Sequence, residues 1–120
     1  MIPDYQDLMF PLLKLLEDRQ EHSLGEAVET LTANFQLTDE ERKELLPSGK
    51  QARFENRVGW ARTYLKKAGL LESTGRGKFC ITSRGLEILT TNPGKITKKF
   101  LEQFPEFLEF KTSLPLVSQE

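Results

Sequence analysis

Residues 52–82 constrain the fold more tightly than any other part of the chain. Apolar residues recur there at intervals of four, three, four and three positions, which places them on one face of a helix; they are Phe54, Val58, Ala61, Leu65 and Ala68. The spacing predicts a helix over about 52–68, with Gly69 as its C-terminal stop. Two short apolar runs, 70–72 and 79–82, flank a glycine-rich segment and predict a β-hairpin. The centre of the fold is therefore a helix that leads directly into a hairpin.

Capping signals predict further helices on both sides of this centre. Asp4 is placed to start a first helix, and Ser23 and Thr38 are each followed three residues later by a glutamate, which is the pattern of a capping box. Residues 18–22 are turn-like and have room for a very short strand. Ser83 is the predicted cap of a helix after the hairpin, and the phenylalanines after residue 98 predict one or two short helices that pack back on the body.

This order of elements is typical of a winged helix-turn-helix. We expect a mainly α fold with a small β-hairpin and extra C-terminal helices. A chain of 120 residues has room for one core, so residues 1–111 are predicted to form one winged-helix domain. Residues 112–120 are predicted to be a linker or a truncated tail.

Charge is strongly segregated along the chain, although the formal net charge is only −1. Residues 48–78 hold eight basic and two acidic residues, a net charge of +6, whereas residues 1–47 hold four basic and eleven acidic residues, a net charge of −7. Basic residues clustered in one stretch of a folded domain are typical of a polyanion binder. Charge alone is equally compatible with a solvated face that keeps the protein in solution. Together with the winged-helix order of elements, the charge leads us to expect double-stranded DNA as the partner.

The candidate DNA-contacting residues lie in the loop before the central helix, along that helix and at the hairpin tip. They are Ser48, Lys50, Gln51, Arg53, Asn56, Arg57, Thr63, Lys67, Arg76 and Lys78. Asn56 is a candidate for paired hydrogen bonds with adenine, and a helix-surface asparagine bonded to water or phosphate is the alternative. Trp60 and Tyr64 border the apolar face and are expected to be half-buried.

The same segment resembles a known family. The residues that carry the resemblance are 46–51 (LPSGKQ) and 54–71 (FENRVGWARTYLKKAGLL), with further similarity at 3–5 (PDY) and 99–105 (KFLEQFP). They are similar to the N-terminal domain of Mrr-type, type IV, modification-dependent restriction system proteins, over roughly residues 2–111. The resemblance implies a winged-helix DNA-binding domain covalently linked to a nuclease domain, in bacterial defence enzymes that cleave modified, usually methylated, foreign DNA.

The chain itself is not expected to be an enzyme. The resemblance implies a nuclease constellation of Pro-Asp followed by an acid-x-Lys triplet, and Pro3-Asp4 and Glu41-Arg42-Lys43 match those letters. Catalysis would need both on adjoining strands, whereas Glu41 falls in the first turn of a capped helix. We therefore predict no catalytic residues, and the chain is expected to be an excised domain or a short relative that binds without cutting.

Composition excludes little about function, but it gives no sign of a metal site or of a membrane span. One cysteine and one histidine make a zinc site improbable, so no metal and no cofactor is predicted. Cys80 is expected to be a small buried hydrophobe, and His22 a surface or capping residue. No apolar run reaches the length of a membrane span, and the chain is expected to be cytoplasmic. Two alternatives stay open, a winged-helix protein-interaction module and a transcriptional regulator, and a homodimer is possible.

Overall fold

The structure, a computed structural model, describes residues 2–113 and contains the elements in the predicted order. The helices are α1 (Tyr5–Leu15), α2 (Leu24–Asn34), α3 (Asp39–Lys43), α4 (Arg53–Lys67), α5 (Ser83–Thr90), α6 (Lys98–Leu101) and α7 (Pro105–Ser113), and a 3-10 turn spans Leu16–Asp18. The strands are β1 (His22–Ser23), β2 (Leu71–Gly75) and β3 (Lys78–Ile81). The prediction of a mainly helical fold with a small sheet is confirmed. The predicted tail 112–120 overlaps the end of α7, and its remainder lies outside the described residues.

Side-chain caps fix where two of the predicted helices begin. At α1, the carboxylate of Asp4 accepts a hydrogen bond from the amide of Asp7 (2.9 Å), and the Asp7 carboxylate accepts one from the amide of Asp4 (3.2 Å). At α3, Thr38 and Glu41 exchange the same pair of bonds at 3.0 and 2.9 Å. Each box satisfies two backbone donors that a helix start leaves without intrahelical partners. The capping box predicted at Thr38 is therefore confirmed.

Two other caps differ from the sequence prediction. The Ser23 hydroxyl accepts from the amide of Glu26 (3.1 Å), but the Glu26 carboxylate turns towards the ring of His22, so only half of the predicted box forms. At α5, Thr82 and not Ser83 is the cap, and its hydroxyl accepts from a first-turn amide at 3.1 Å. Thr82 still has extended backbone angles at the end of the strand, whereas Ser83 is already helical. The true cap therefore lies one residue earlier than predicted.

Helix α4 lies at the centre of the core. All five residues of its predicted apolar face are fully buried, as the 4-3-4-3 spacing indicates. Helix α1 packs along α4 with Leu8, Met9, Leu12 and Leu13, which are also fully buried. Gly69 ends α4 with a φ of +78°, the left-handed conformation that glycine adopts without strain.

The sheet is antiparallel, and its strands lie in the order β1-β3-β2. The register of β2 and β3 is irregular between Ser73 and Gly75, and the tip of the hairpin is Arg76-Gly77, shorter than the predicted turn. Phe79 and Ile81 point into the core. Cys80 alternates with them and lies half-exposed on the other face, so the prediction of a buried Cys80 is wrong.

The C-terminal helices complete the core around an aromatic cluster. Tyr64 is 1% exposed, and its ring makes edge contacts with Tyr5, Phe107 and Phe110 at centroid distances of 5.0, 5.6 and 5.9 Å. Phe107 is fully buried, so the tail packs back on the body as predicted. Trp60 is half-buried as expected, whereas Tyr64 lies deeper than the sequence indicated.

Candidate nucleic-acid interface

One stripe of α4 faces away from the core on the side of the hairpin. Glu55, Gly59, Arg62 and Lys66 follow one another at intervals of four, three and four residues, so they line up along the helix. A Cβ atom added at Gly59 would meet nothing within 4 Å. The middle of this stripe is therefore open space into which another surface can fit closely.

A groove of about 160 Å³ separates the C-terminal half of α4 from the β2–β3 hairpin, and we call it the helix–hairpin groove. Its lining residues are Arg62, Thr63, Lys66, Lys67, Leu71, Ser73, Gly77, Lys78 and Phe79. Four of them are cations, and no acid lines the groove. Three predicted site residues, Thr63, Lys67 and Lys78, thus come together here. The exposed Arg76 lies at the hairpin tip beside them.

Ion pairs within the protein neutralise little of the charge in this groove. Among the residues that the structure describes, Arg62 and Lys66 form no ion pair. The Lys78 ammonium is 3.8 Å from the carboxylate of Glu21, and that of Lys67 lies over the Phe110 ring, 5.3 Å from its centroid. Arg62 and Lys66 were not among the predicted site residues. The signal for them was their spacing from Gly59, which places them on the hairpin side of the helix.

A second projection precedes α4. The chain doubles back between Leu45 and Ala52, which form an isolated antiparallel bridge, and the amide of Leu46 donates to the carbonyl of Gln51 (3.0 Å). Gly49, with a φ of +73°, makes the turn. The three predicted site residues of this loop, which include Lys50, are exposed. Helix α4 is therefore preceded by an exposed loop and followed in the chain by an exposed hairpin tip.

Asn56 is already engaged within the protein. Its Nδ2 donates to Oε1 of Gln51 (3.1 Å), and its Oδ1 is buried and accepts no hydrogen bond from the described residues. Paired hydrogen bonds with adenine need both amide atoms to be accessible. Asn56 would have to release Gln51 and turn outwards to make them.

Two predicted arginines also hold neighbouring segments. Arg53 forms an ion pair with Glu44 at 2.9 Å. The guanidinium of Arg57 donates to the carbonyls of Ile2 and Pro3, both at 3.2 Å, and so fastens the start of the chain to α4. Contacts of these two side chains with DNA stay a prediction.

The acidic residues that match the nuclease sequence pattern cap helices in the structure. Asp4 caps α1, and Glu41 belongs to the capping box of α3. Within residues 2–113, no group of three or more His, Cys, Asp and Glu side chains is arranged to hold a metal ion. The prediction that the chain is not an enzyme stays a prediction.

His22, in β1, links the 3-10 turn before it to α2 after it. Its ring lies between the carboxylates of Asp18, 2.9 Å from Nε2, and Glu26, beside Nδ1. Partial burial by itself would lower the pKa of the imidazole, but the hydrogen bonds to Asp18 and Glu26 raise that pKa above its ordinary value. The side chain of His22 is only 11% exposed, and Ser23 is the cap of α2, so the prediction of a surface or capping residue is wrong.

Comparison with known proteins identifies the family. Residues 5–91 match the family model described as the Mrr N-terminal domain. The chain belongs to this family. It is also 33% identical over 99 residues to the type IV methyl-directed restriction enzyme EcoKMrr of Escherichia coli (strain K12). That alignment covers 82% of this chain and 32% of the enzyme, so this Mrr N-terminal domain spans about a third of the length of its curated relative.

The predicted resemblance is therefore confirmed. No solved structure matches the chain significantly. Among the helices that the structure describes, none has the length and apolar character needed to cross a bilayer.

Proposed function

We infer that this Mrr N-terminal domain is a winged-helix domain that binds double-stranded DNA and directs a restriction activity to modified DNA. The order of elements supports the winged-helix assignment. In it, α2 and α4 form the helix-turn-helix, α4 is the recognition helix and β2–β3 is the wing. The strand order β1-β3-β2 accords with it, since β1 joins the sheet beside the returning strand of the wing. Helix α3 is an insertion between α2 and α4.

The helix–hairpin groove is the observation that carries this proposal. It brings four cations from two elements to one place and includes no acid. A phosphate backbone releases condensed counterions when cations neutralise it, and this release supplies most of the affinity of non-specific binding. The groove therefore suits a phosphate group of a DNA strand that runs past the recognition helix and the wing.

The dimensions of α4 also suit a DNA duplex. An α-helix with its side chains is about 10–12 Å across, and the major groove of B-DNA is about 12 Å wide. The outward stripe has no side chain at Gly59, where the approach is closest. The exposed loop around Lys50 precedes α4 and the exposed wing around Arg76 follows it, and we expect each to contact a phosphate backbone beside the major groove.

The comparison supports the restriction context. The E. coli relative is named as a methyl-directed restriction enzyme, and this chain matches about a third of it. In our proposal the domain supplies target binding to a covalently linked nuclease domain in a cytoplasmic restriction protein. A homodimer stays a prediction.

Fluorescence anisotropy with a labelled duplex of about 20 base pairs tests the proposal. We expect a Kd of about 10⁻⁴–10⁻⁶ M near physiological salt for unmodified sequence. The double variant Arg62→Ala/Lys66→Ala should weaken binding to every duplex and reduce the slope of log K against log salt by roughly one for each phosphate that is no longer neutralised. The matched control, Lys14→Ala/Lys99→Ala, removes the same charge from α1 and α6 and should change both quantities much less.

The same titrations also separate the alternatives. A protein-interaction module with an apolar interface would not bind the duplex, and its affinity for its protein partner would depend little on salt. A transcriptional regulator would prefer one extended sequence over all others regardless of methylation. Equal losses of affinity in the two double variants would contradict the helix–hairpin groove as the binding surface.

A further inference from the structure

The last turn of α4 borders two cavities. One is the helix–hairpin groove, and the other is a cleft of about 480 Å³ between α4 and α7, which we call the α4–α7 cleft. The lining residues of this cleft are Lys66, Lys67, Gly69, Glu106, Glu109 and Phe110. Lys66 and Lys67 also line the helix–hairpin groove, so the same two lysines serve both cavities.

The two cavities differ in charge. Four cations and no acid line the helix–hairpin groove, whereas the α4–α7 cleft combines two lysines with the two glutamates of α7. A DNA phosphate is therefore attracted to the groove and is repelled by the carboxylates of the cleft. The shared lysines thus have an anionic partner in the DNA on one side and in the acidic edge of α7 on the other.

The Lys67 ammonium is engaged on the α7 side. It lies over the ring of Phe110, 5.3 Å from the centroid, and Phe110 lines the cleft but not the groove. An ammonium over an aromatic ring is attracted by the negative charge of the ring face. Lys67 is exposed, and lysine carries its charge on a flexible four-carbon stem. The ammonium can therefore move from the cleft to the groove.

Helix α7 is held less firmly at its end than in its middle. Phe107 is fully buried, whereas Phe110 is only half-buried. Lys111 forms an ion pair with Glu102, but both side chains are partly exposed, and such pairs contribute little to stability. The contact between Lys67 and Phe110 therefore helps to hold the last turn of α7 against α4.

We propose that α7 and DNA compete for Lys67, so that α7 inhibits binding in the helix–hairpin groove and bound DNA loosens α7 from α4. This competition rests on the proposed function, because it needs a duplex in that groove. Two ligands that compete for one group weaken each other by the same factor. The family is described as the N-terminal domain of Mrr, so in our proposed function α7 leads towards the linked nuclease domain. Loosening of α7 then transmits DNA binding to that domain.

The first test measures the inhibition. Phe110→Leu removes the ring and leaves Lys67 to the DNA, so anisotropy titrations with the 20-base-pair duplex should show binding about two- to fivefold tighter, the value of an exposed cation–π contact. Phe104→Leu is the matched control, because it removes a contact of the same kind from Arg84 (4.9 Å), which does not line the helix–hairpin groove. The affinity of this control should equal that of the parent.

A double-variant cycle assigns the effect to Lys67. In a Lys67→Ala background, which itself binds DNA more weakly, Phe110→Leu should no longer tighten binding, because no ammonium is left to release. Urea unfolding of each variant shows whether it is folded at the temperature of the titration.

The second test measures the loosening in the parent chain and needs no substitution in α7. Hydrogen exchange is compared with and without saturating duplex. Amides of α4 and the hairpin should exchange more slowly with DNA bound, whereas amides in the last turn of α7 should exchange about two- to fivefold faster, the reciprocal of the effect on affinity. In the Lys67→Ala variant, DNA should not accelerate exchange in α7.

Three results would overturn this competition and leave the proposed function intact, since the duplex still binds. They are equal affinities of folded Phe110→Leu and Phe104→Leu, a gain in affinity that persists in the Lys67→Ala background, and exchange in α7 that is unchanged or slower with DNA bound. Where Phe110→Leu is not folded, the exchange measurement decides alone. Failure of the parent chain to bind any duplex would instead overturn the proposed function and the competition with it.

Discussion

Substitution of glycine by alanine is expected to have opposite effects on stability at two helical positions, Gly85 and Gly59. Gly85 lies in the first turn of α5, is buried, and faces the end of the segment that leads into β2. A Cβ atom there would lie 2.2 Å from the carbonyl oxygen of Leu70 and 2.7 Å from Cγ1 of Ile81. The Leu70 carbonyl also accepts a hydrogen bond from the amide of Thr82 (3.1 Å), so it cannot move away without breaking that bond. We expect Gly85→Ala to force α5 away from the hairpin.

The magnitude follows from two opposing terms. Overpacking a close-packed core costs typically about 1–3 kcal/mol and occasionally more, and a clash with backbone belongs at the upper end. Alanine is better than glycine in a helix interior by at most about 1 kcal/mol, and Gly85 is near the helix start. The net decrease should be about 2 kcal/mol in the free energy of unfolding. For a domain of this size that decrease corresponds to a fall of roughly 6–10 °C in Tm.

Gly59→Ala is the matched control, since that position is in the middle of α4 and faces open space. It should raise the free energy of unfolding by about 0.5–1 kcal/mol. Urea unfolding followed by circular dichroism measures both variants against the parent. A Gly85→Ala variant as stable as the parent, or changes of the same sign in both variants, would refute the packing of α5 described above.

Further predictions concern the wing, a histidine and the cysteine. Arg76→Ala/Lys78→Ala should weaken anisotropy-measured binding to all duplexes about equally and leave the urea midpoint unchanged, because both side chains are exposed; a large fall in stability would contradict the wing assignment. The raised pKa of His22 means that its stabilising contribution is complete below about pH 6.5 and is lost as the pH rises through the folded-state pKa, so His22→Gln should flatten the fall in urea midpoint above about pH 6.5. Partial burial, followed by the nearby Glu72 carboxylate, raises the pKa of the Cys80 thiol, so a thiol probe should label it more slowly at neutral pH than a free cysteine, and Glu72→Gln should speed the labelling.

Local patterns predicted much of the fold because the responsible interactions are short-range. The apolar face of α4 and the cap at Thr38 depend on residues three or four apart, and both were identified correctly. The position of Cys80 could not be obtained in this way. Which face of a short strand is buried depends on where α4 lies relative to the hairpin, and an alternating run is compatible with either face.

The candidate site was less predictable for the same reason. The charge pattern indicated a segment from which Lys67 and Lys78 do meet in one groove. No local pattern indicated that the side chain of Arg57 donates hydrogen bonds to the carbonyls of residues 2 and 3, because these lie more than fifty positions away in the chain. The engagement of Asn56 by Gln51 likewise depends on the path of the loop before α4.

The aromatic cluster around Tyr64 sets the physical limits of the folding unit. The family match ends at residue 91, but Ile96, Leu101 and Phe107 lie beyond it and are fully buried in the same core as α4. A recombinant fragment that stopped at residue 91 would retain the α4 and hairpin walls of the helix–hairpin groove. It would lose the layer that covers Tyr64. Such a fragment would expose to solvent the apolar surface around Tyr64 on α4, and we expect it to aggregate. An autonomous expression unit must therefore extend through α7, about twenty residues past the segment by which the family is recognised.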